Sequence, residues 1–309
     1  MAPSAEEFEV VVVGGGPAGL STALLLGRMR RRTLVCDSGR YRNAAARAMH
    51  GYLTRDGASP AEFLRTARAE VARYGDVTLW RGEVTGAELV AGGFAVERAG
   101  APGVRARKLV LATGVVDELP AIAGARELYG RGVHHCPYCD GFELRDQPLA
   151  VYARDEERGV GLALLLTRWS ADVALCTDGP ARLGDDQRVR LARHRIAVEE
   201  RPIAGLEEED GRLARVRFRD GLALERRGLF FCTGRHQPSE LPRRLGCREF
   251  DVPGSFVDRD GKTSVAGLYI VGDASRDVLQ VVVAAAEGCE AAIALNNELL
   301  REDGVLPRE

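Results

Sequence analysis

The chain has 309 residues, of which 45% are hydrophobic and 28% charged, with a formal net charge of −2. That length can build two domains with separate cores, and the near-neutral charge argues against a nucleic-acid or anionic-membrane partner. Seven cysteines, odd in number and mostly dispersed, argue against a secreted disulfide framework.

The first element is a strand over Glu9–Val13. Its valines are too few, and too soon followed by glycines, for a signal core or a membrane span. With the acidic N-terminal stretch before it, a cytoplasmic location is the default expectation. Gly14-Gly15-Gly16-Pro17-Ala18-Gly19 then opens a helix. A GxGxxG run is weak alone, but between strand and helix it is a strong dinucleotide signal. Gly14 permits the tight turn, Gly16 the approach of a pyrophosphate and Gly19 close helix–strand packing. The helix N-terminus, with Pro17 and Ala18 in its first turn, offers free N–H groups to the phosphates. Asp37 ends the next strand at the spacing of a ribose hydroxyl acceptor. The basic run Arg28–Arg32 sits at a helix C-terminus and reads as a solvated face.

An internal repeat organises the rest. Ala23–Gly39 (ALLLGRMRRRTLVCDSG) and Ala163–Gly179 (ALLLTRWSADVALCTDG) align without gaps, 140 residues apart. Each is an apolar helix running into a buried strand, and each follows a strand, Glu9–Val13 or Leu149–Ala153. Right-handed crossovers make the strands of each half parallel. Both halves close on an apolar strand ending in Thr-Gly, Arg107–Gly114 and Arg226–Gly234. Alternating stretches before them, Val77–Val84 with Phe94–Arg98 and Leu213–Phe218 with Leu222–Glu225, read as antiparallel meanders. A last segment, Gly267–Ala274 with a helix from about Val278 to Leu300, has no counterpart in the second half and returns to the first domain. The fold expected is α/β: two Rossmann-like three-layer domains, the second (118–242) inserted into the first (1–117 and 243–309), with hinges at Asp117–Pro120 and His236–Pro242.

The repeat shows what the second half has lost. Arg154-Asp155-Glu156-Glu157-Arg158-Gly159 falls opposite Gly14–Gly19, and only the last glycine survives. Side chains are expected to fill the pyrophosphate's space. Each carboxylate about 4 Å from a phosphate costs on the order of 4 kcal/mol at an effective dielectric of 20. Thr177 stands opposite Asp37, and the following Asp178-Gly179 offers no basic residue for a 2′-phosphate. Loss of nicotinamide binding is the expectation; a register shift that keeps a looser site is the alternative.

His134-His135-Cys136-Pro137-Tyr138-Cys139-Asp140-Gly141 follows early in the second domain. Two cysteines three apart at a helix start can close a small disulfide, and the helix end favours the first thiolate. Zinc would need a second pair, and Cys176, Cys232, Cys247 and Cys289 occur singly; a structural bridge is the other bland reading. Cys36, Cys176, Cys232 and Cys289 read as small core residues. No metal site is expected. His134 and His135 either lower a cysteine pKa or accept a substrate proton, or are packing residues.

Over nearly its whole length the chain resembles the low-molecular-weight thioredoxin reductases and their flavin-dependent relatives. The anchors are Gly14–Gly19, Ala112-Thr113-Gly114, the Cys136–Gly141 motif and Gly272-Asp273. The resemblance implies FAD as cofactor and a homodimer. It implies that Asp273 bonds the ribityl–phosphate region and that the helix beginning near Gln280 and Val281 points its N-terminus at the flavin. Cys136 becomes the outer, exchanging thiol and Cys139 the flavin-facing one, with Asp140 as proton donor and acceptor. Asp140 is otherwise a helix N-terminal acid. Within the family, the stretch Asp37–Asn43 and Met49-His50-Gly51 is similar to the natural-product dithiol oxidases that close the disulfides of gliotoxin and holomycin. That places Asn43 and His50 near the flavin, His50 being a structural histidine otherwise.

The function expected is therefore oxidation of a dithiol, small-molecule or thioredoxin-like, through Cys136 and Cys139. Oxygen is the simplest electron acceptor where no nicotinamide binds. The alternative is a thioredoxin-type reductase fed by ferredoxin or another protein donor, since about 30 mV of relative potential already shifts a two-electron couple by some 1.4 kcal/mol. A non-catalytic, redox-sensing flavoprotein is the third reading.

Overall fold

A computed structural model describes residues 5–248, 257–275 and 277–307; the first four residues of the acidic N-terminal stretch lie outside that set. The described chain forms two compact units. One comprises Met1–Ala44, Ala61–Val116 and Gln237–Glu309, the other Ala45–Pro60 and Asp117–His236. The segment Ala45–Pro60, which sequence order alone assigns to the first domain, thus belongs with the second unit. Within that unit Gly130 sits so close to Ala45 that an added Cβ would lie 2.7 Å from the Ala45 carbonyl oxygen.

The first unit is built on a seven-stranded sheet. Val77–Arg81, Thr33–Asp37, Glu6–Val13 and Ala101–Leu111 run side by side in parallel. Ala101–Leu111 also pairs in parallel with Leu268–Ile270 and antiparallel with Gly93–Arg98, which pairs with Val84–Val90. Val77–Arg81 is therefore a parallel strand of the main sheet, not part of the meander expected from its alternation. Its partner Thr33–Asp37 is buried along its whole length, so the backbone edge it would otherwise leave is covered by this further strand. Val10, Val11 and Val12 are completely buried, each contributing about 1.5–3 kcal/mol.

The helix Pro17–Arg28 packs on the long final helix Val281–Glu302, where Thr22 Oγ1 donates to the Gly288 carbonyl at 3.1 Å. A Cβ on Gly288 would lie 2.2 Å from the Ala18 carbonyl oxygen, so only glycine allows this approach. The returning segment thus completes the first core, as its apolar pattern requires.

The second unit repeats the plan in shorter form. Ala197–Glu199, Val173–Cys176, Leu149–Tyr152, Gly228–Phe231 and Val133–His134 form an all-parallel sheet. The helix Glu156–Leu166 crosses from Leu149–Tyr152 to Val173–Cys176. Val173 opens its strand 140 residues after Thr33 opens the equivalent one, so the repeat read in sequence is a structural repeat. An antiparallel three-stranded sheet, Ile203–Glu209, Arg212–Phe218 and Ala223–Glu225, covers the region expected as a meander. No described helix is long and apolar enough to cross a membrane.

Candidate active site

The glycine turn of the first unit divides its three glycines as the fingerprint requires. Gly14 has φ +116°, and a Cβ there would lie 2.2 Å from the Ala112 carbonyl oxygen; one on Gly19 would lie 1.9 Å from the Gly14 carbonyl oxygen. A Cβ on Gly16 meets nothing within 4 Å. Gly14 and Gly19 thus serve internal packing, whereas Gly16 keeps open space at the N-terminus of Pro17–Arg28. No side chain caps that terminus. Beside the turn, Thr113 carries a buried hydroxyl with no hydrogen-bond partner, a costly omission in a closed core and a donor ready for a ligand. Gly114 follows at φ +65°. An open, uncapped helix start next to an orphaned buried hydroxyl fits a dinucleotide such as FAD.

The neighbouring acids are already held. Asp37 accepts from Gly39 N at 2.9 Å, from the Tyr41 hydroxyl at 2.5 Å and from Arg68 at 3.2 Å. Burial first, then the Asp37 carboxylate, push the Tyr41 phenol up to about 12. Asp273 pairs with Arg42 at 3.0 Å. The turn carrying Asp273 is fixed by buried Glu287, which accepts from Gly272 N at 2.8 Å and from the Ser275 hydroxyl at 2.6 Å. Gln280 is the extended N-cap of the final helix, which starts at Val281. Asn43 is half-buried near this group in sequence. Arg68 and Glu287 belong to no sequence motif; Arg68 reaches Asp37 across 31 residues and Glu287 holds Gly272 across 15. His50 lies in the second unit between Asp56 at 3.4 Å and Glu143 at 3.5 Å.

Cys136 and Cys139 are joined as a disulfide, their Cα atoms 5.3 Å apart. The helix that carries them, Pro137–Asp140, is a single turn. The macrodipole expected to favour the Cys136 thiolate is therefore short, and side chains around the pair matter more. His134, buried at the end of strand Val133–His134, places Nδ1 3.1 Å from Asp140 Oδ1 and packs on Phe230. His135 faces the other way, with Nδ1 3.2 Å from the Tyr129 hydroxyl, which donates to Asp117 at 2.8 Å. The sequence motif marks the two histidines but neither partner of His135: Asp117 reads only as a hinge residue, and Tyr129 has no motif.

The other cysteines show a different chemistry. Burial pushes the thiols of Cys36 and Cys176 up to about 12, and also raises Cys232, Cys247 and Cys289. A thiol whose pKa is raised stays protonated until the pH approaches that value, so at neutral pH Cys36 and Cys176 are poor nucleophiles. After reduction of the folded protein, iodoacetamide at about pH 8 is expected to label Cys136 and Cys139 and to spare Cys36 and Cys176. Mass mapping of the labelled peptides checks this; equal labelling of Cys176 would contradict it.

In the second unit, the segment opposite the glycine turn lines a cleft of about 880 Å³ together with Tyr152, Arg182 and Cys232. The lining there is charged, Arg154 to Arg158 standing where the first unit has glycines. Asp155 caps the helix Glu156–Leu166 by accepting from Arg158 N at 3.0 Å, so a carboxylate occupies the position where a phosphate would take an N–H. Arg154 is tied to Asp178 at 3.2 Å and Glu156 to the Arg182 amide at 3.1 Å. Gly159 survives because a Cβ there would meet Ala153 Cβ at 2.5 Å, the packing role that Gly19 has in the first unit. Among the described residues, no cluster of three or more His, Cys, Asp or Glu could hold a metal.

Residues 8–288 match the pyridine nucleotide-disulphide oxidoreductase family. A probable thioredoxin reductase of Arthroderma benhamiae is 31% identical over 96% of this chain and 81% of its own length. The thioredoxin reductase sirT of Leptosphaeria maculans is 29% identical over 98% of each chain. The crystal structure of HlmI superimposes with a TM-score of 0.92 at 40% identity, covering 96% of this chain and 94% of that one. The chain therefore belongs to the pyridine nucleotide-disulphide oxidoreductase family, has the thioredoxin reductase-like fold, and is an FAD-dependent oxidoreductase acting on sulfur groups.

Proposed function

We propose that this protein oxidises a dithiol to a disulfide through Cys136 and Cys139, without a nicotinamide cofactor and with oxygen as the final acceptor. The observation that carries the reading is the relined cleft, where Asp155 has taken the helix N–H that a nucleotide phosphate needs. FAD would be held by the turn Gly14–Gly19, Asp37, Asn43, Thr113, Gly114, Gly272, Asp273, Gln280 and Val281, and when bound it supplies a two-electron partner for the cysteine pair. On the chain's side the chemistry is thiol–disulfide exchange. A substrate thiolate attacks Cys136 Sγ and breaks the Cys136–Cys139 bond, leaving Cys139 as thiolate. The second substrate thiol attacks the substrate sulfur of the mixed disulfide and releases Cys136. Two electrons and two protons thus pass from substrate to the pair. Asp140, oriented by His134, gives and takes a proton beside Cys139.

Relatives named as thioredoxin reductases favour the opposite direction, reduction of a thioredoxin-like protein, and ferredoxin or another protein donor would then supply the electrons. Parallel anaerobic titrations of the purified flavoprotein with NADPH, NADH and dithiothreitol separate the two. We expect prompt bleaching by dithiothreitol only, and rapid recovery of colour on admitting air. Prompt bleaching by NADPH overturns the reading of the cleft. Slow recovery in air with fast reduction by ferredoxin establishes the reverse flow. We further propose a homodimer, from the family, and a cytoplasmic location, from the single redox pair among scattered thiols; His50, between Asp56 and Glu143, remains a proposed flavin neighbour.

A further inference from the structure

The two histidines before Cys136 end on different acids. His134 reaches Asp140 directly at 3.1 Å. His135 is 3.8 Å from Asp117 Oδ2, too far for a direct hydrogen bond, and is connected to it through the Tyr129 hydroxyl, 3.2 Å from His135 Nδ1 and 2.8 Å from Asp117. The Asp117 side chain is 5% exposed and that of His135 28%, so the chain of contacts runs from a buried carboxylate to the half-buried ring of the residue that precedes Cys136 in the chain.

Counting protons gives this chain of contacts its direction. An ionised carboxylate only accepts, so the single phenol proton of Tyr129 goes to Asp117. The phenol oxygen must then accept from His135 Nδ1. In its neutral form His135 is then an Nδ1–H imidazole with its lone pair on Nε2. We propose that Asp117 and Tyr129 are positioning residues that hold His135 as the base for the incoming substrate thiol at Cys136. The inference rests on the reading of Cys136–Cys139 as the exchanging disulfide.

The step balances. The substrate S–H bond breaks and its proton moves to Nε2. The substrate sulfur bonds to Cys136 Sγ, and the Cys136–Cys139 bond breaks with its electron pair on Cys139. When the second substrate thiol resolves the mixed disulfide, Nε2 returns its proton to Cys136, and the second substrate proton passes by Asp140 to Cys139. Asp117 stabilises the imidazolium through the phenol without taking the proton, the division of labour seen in acid–histidine pairs elsewhere. Tyr129 and Asp117 are titratable groups that face the ring; His134 and Cys136 flank it in the chain, and Phe231, 6.4 Å away, carries no charge.

The test is anaerobic stopped-flow bleaching of the holoenzyme by dithiothreitol, across a range of pH, in wild type, Tyr129→Phe and Asp117→Asn. Either variant is expected to react about tenfold more slowly near neutral pH, the effect of losing one hydrogen bond to a charged group. The gap should close toward about pH 9, where dithiothreitol ionises without help. The acid limb of the Asp117→Asn profile should move to lower pH, because the imidazolium has lost its carboxylate. Flavin content and melting temperature should match wild type, and Tyr129→Phe should add nothing in a His135→Gln background. Rates equal to wild type at every pH, or reduced by one factor at every pH, would overturn the relay. A wild type that dithiothreitol does not bleach, or a Cys136→Ser protein that bleaches normally, would instead remove the exchanging disulfide itself.

Discussion

Cys139→Ser is expected to lower dithiol turnover by about 10⁴-fold or more while leaving a folded, yellow protein. Effects of that size follow when a covalent route loses a reacting atom, because the remaining groups have no bond to break. Serine occupies nearly the same space, and the cysteines close a loop of sequence separation 3, so little unfolded-chain entropy depends on the bridge. Cys136→Ser should be as inactive, but for a different reason: it removes the sulfur that the substrate attacks. Steady-state dithiothreitol oxidation in air, with flavin content and thermal melting as controls, measures both. Turnover within tenfold of wild type for Cys139→Ser would revive the non-catalytic, redox-sensing reading.

The second large effect separates two glycines two residues apart. Gly16→Ala should leave the apoprotein's stability within about 0.5 kcal/mol, since the added methyl meets open space and the φ of −80° suits any residue. Its FAD affinity should fall about a hundredfold, roughly 2.7 kcal/mol, because the methyl stands where a pyrophosphate must approach the backbone. Gly14→Ala should fail earlier. Its φ of +116° is strained for alanine, and its methyl would press on the Ala112 carbonyl, a combination worth about 3 kcal/mol or more. Urea unfolding of the apoproteins and calorimetric titration with FAD distinguish the cases. Wild-type FAD affinity in Gly16→Ala would mean that the phosphates lie elsewhere.

Much of this protein was legible without coordinates. The glycine turn, the repeat offset and the cysteine pair are local patterns, each set by a constraint spanning a few residues: a tight turn, a buried helix–strand periodicity, a short reach between sulfurs. The same patterns misled where the deciding contact was remote. Val77–Arg81 alternates like a meander strand, yet it joins the parallel sheet because the edge of Thr33–Asp37 needed a partner. The charged replacement Arg154–Arg158 reads only as lost glycines, yet its side chains have partners of their own: Asp155 caps the helix, and Arg154 and Glu156 are tied to Asp178 and the Arg182 amide.

The sequence alone determined that the chain carries one dinucleotide fingerprint, one degenerate copy of it and one closely spaced cysteine pair. Tertiary structure alone decided which side chains serve them: Glu287 beneath the Gly272 turn, Arg68 and Tyr41 on Asp37, and Tyr129 with Asp117 behind His135. The physical reason is that turns and periodicities are enforced between near neighbours in the chain, whereas a hydrogen bond to a buried acid depends only on nearness in space. Any polar residue that the packing brings within about 3 Å can make it, and no spacing in the sequence announces which one will.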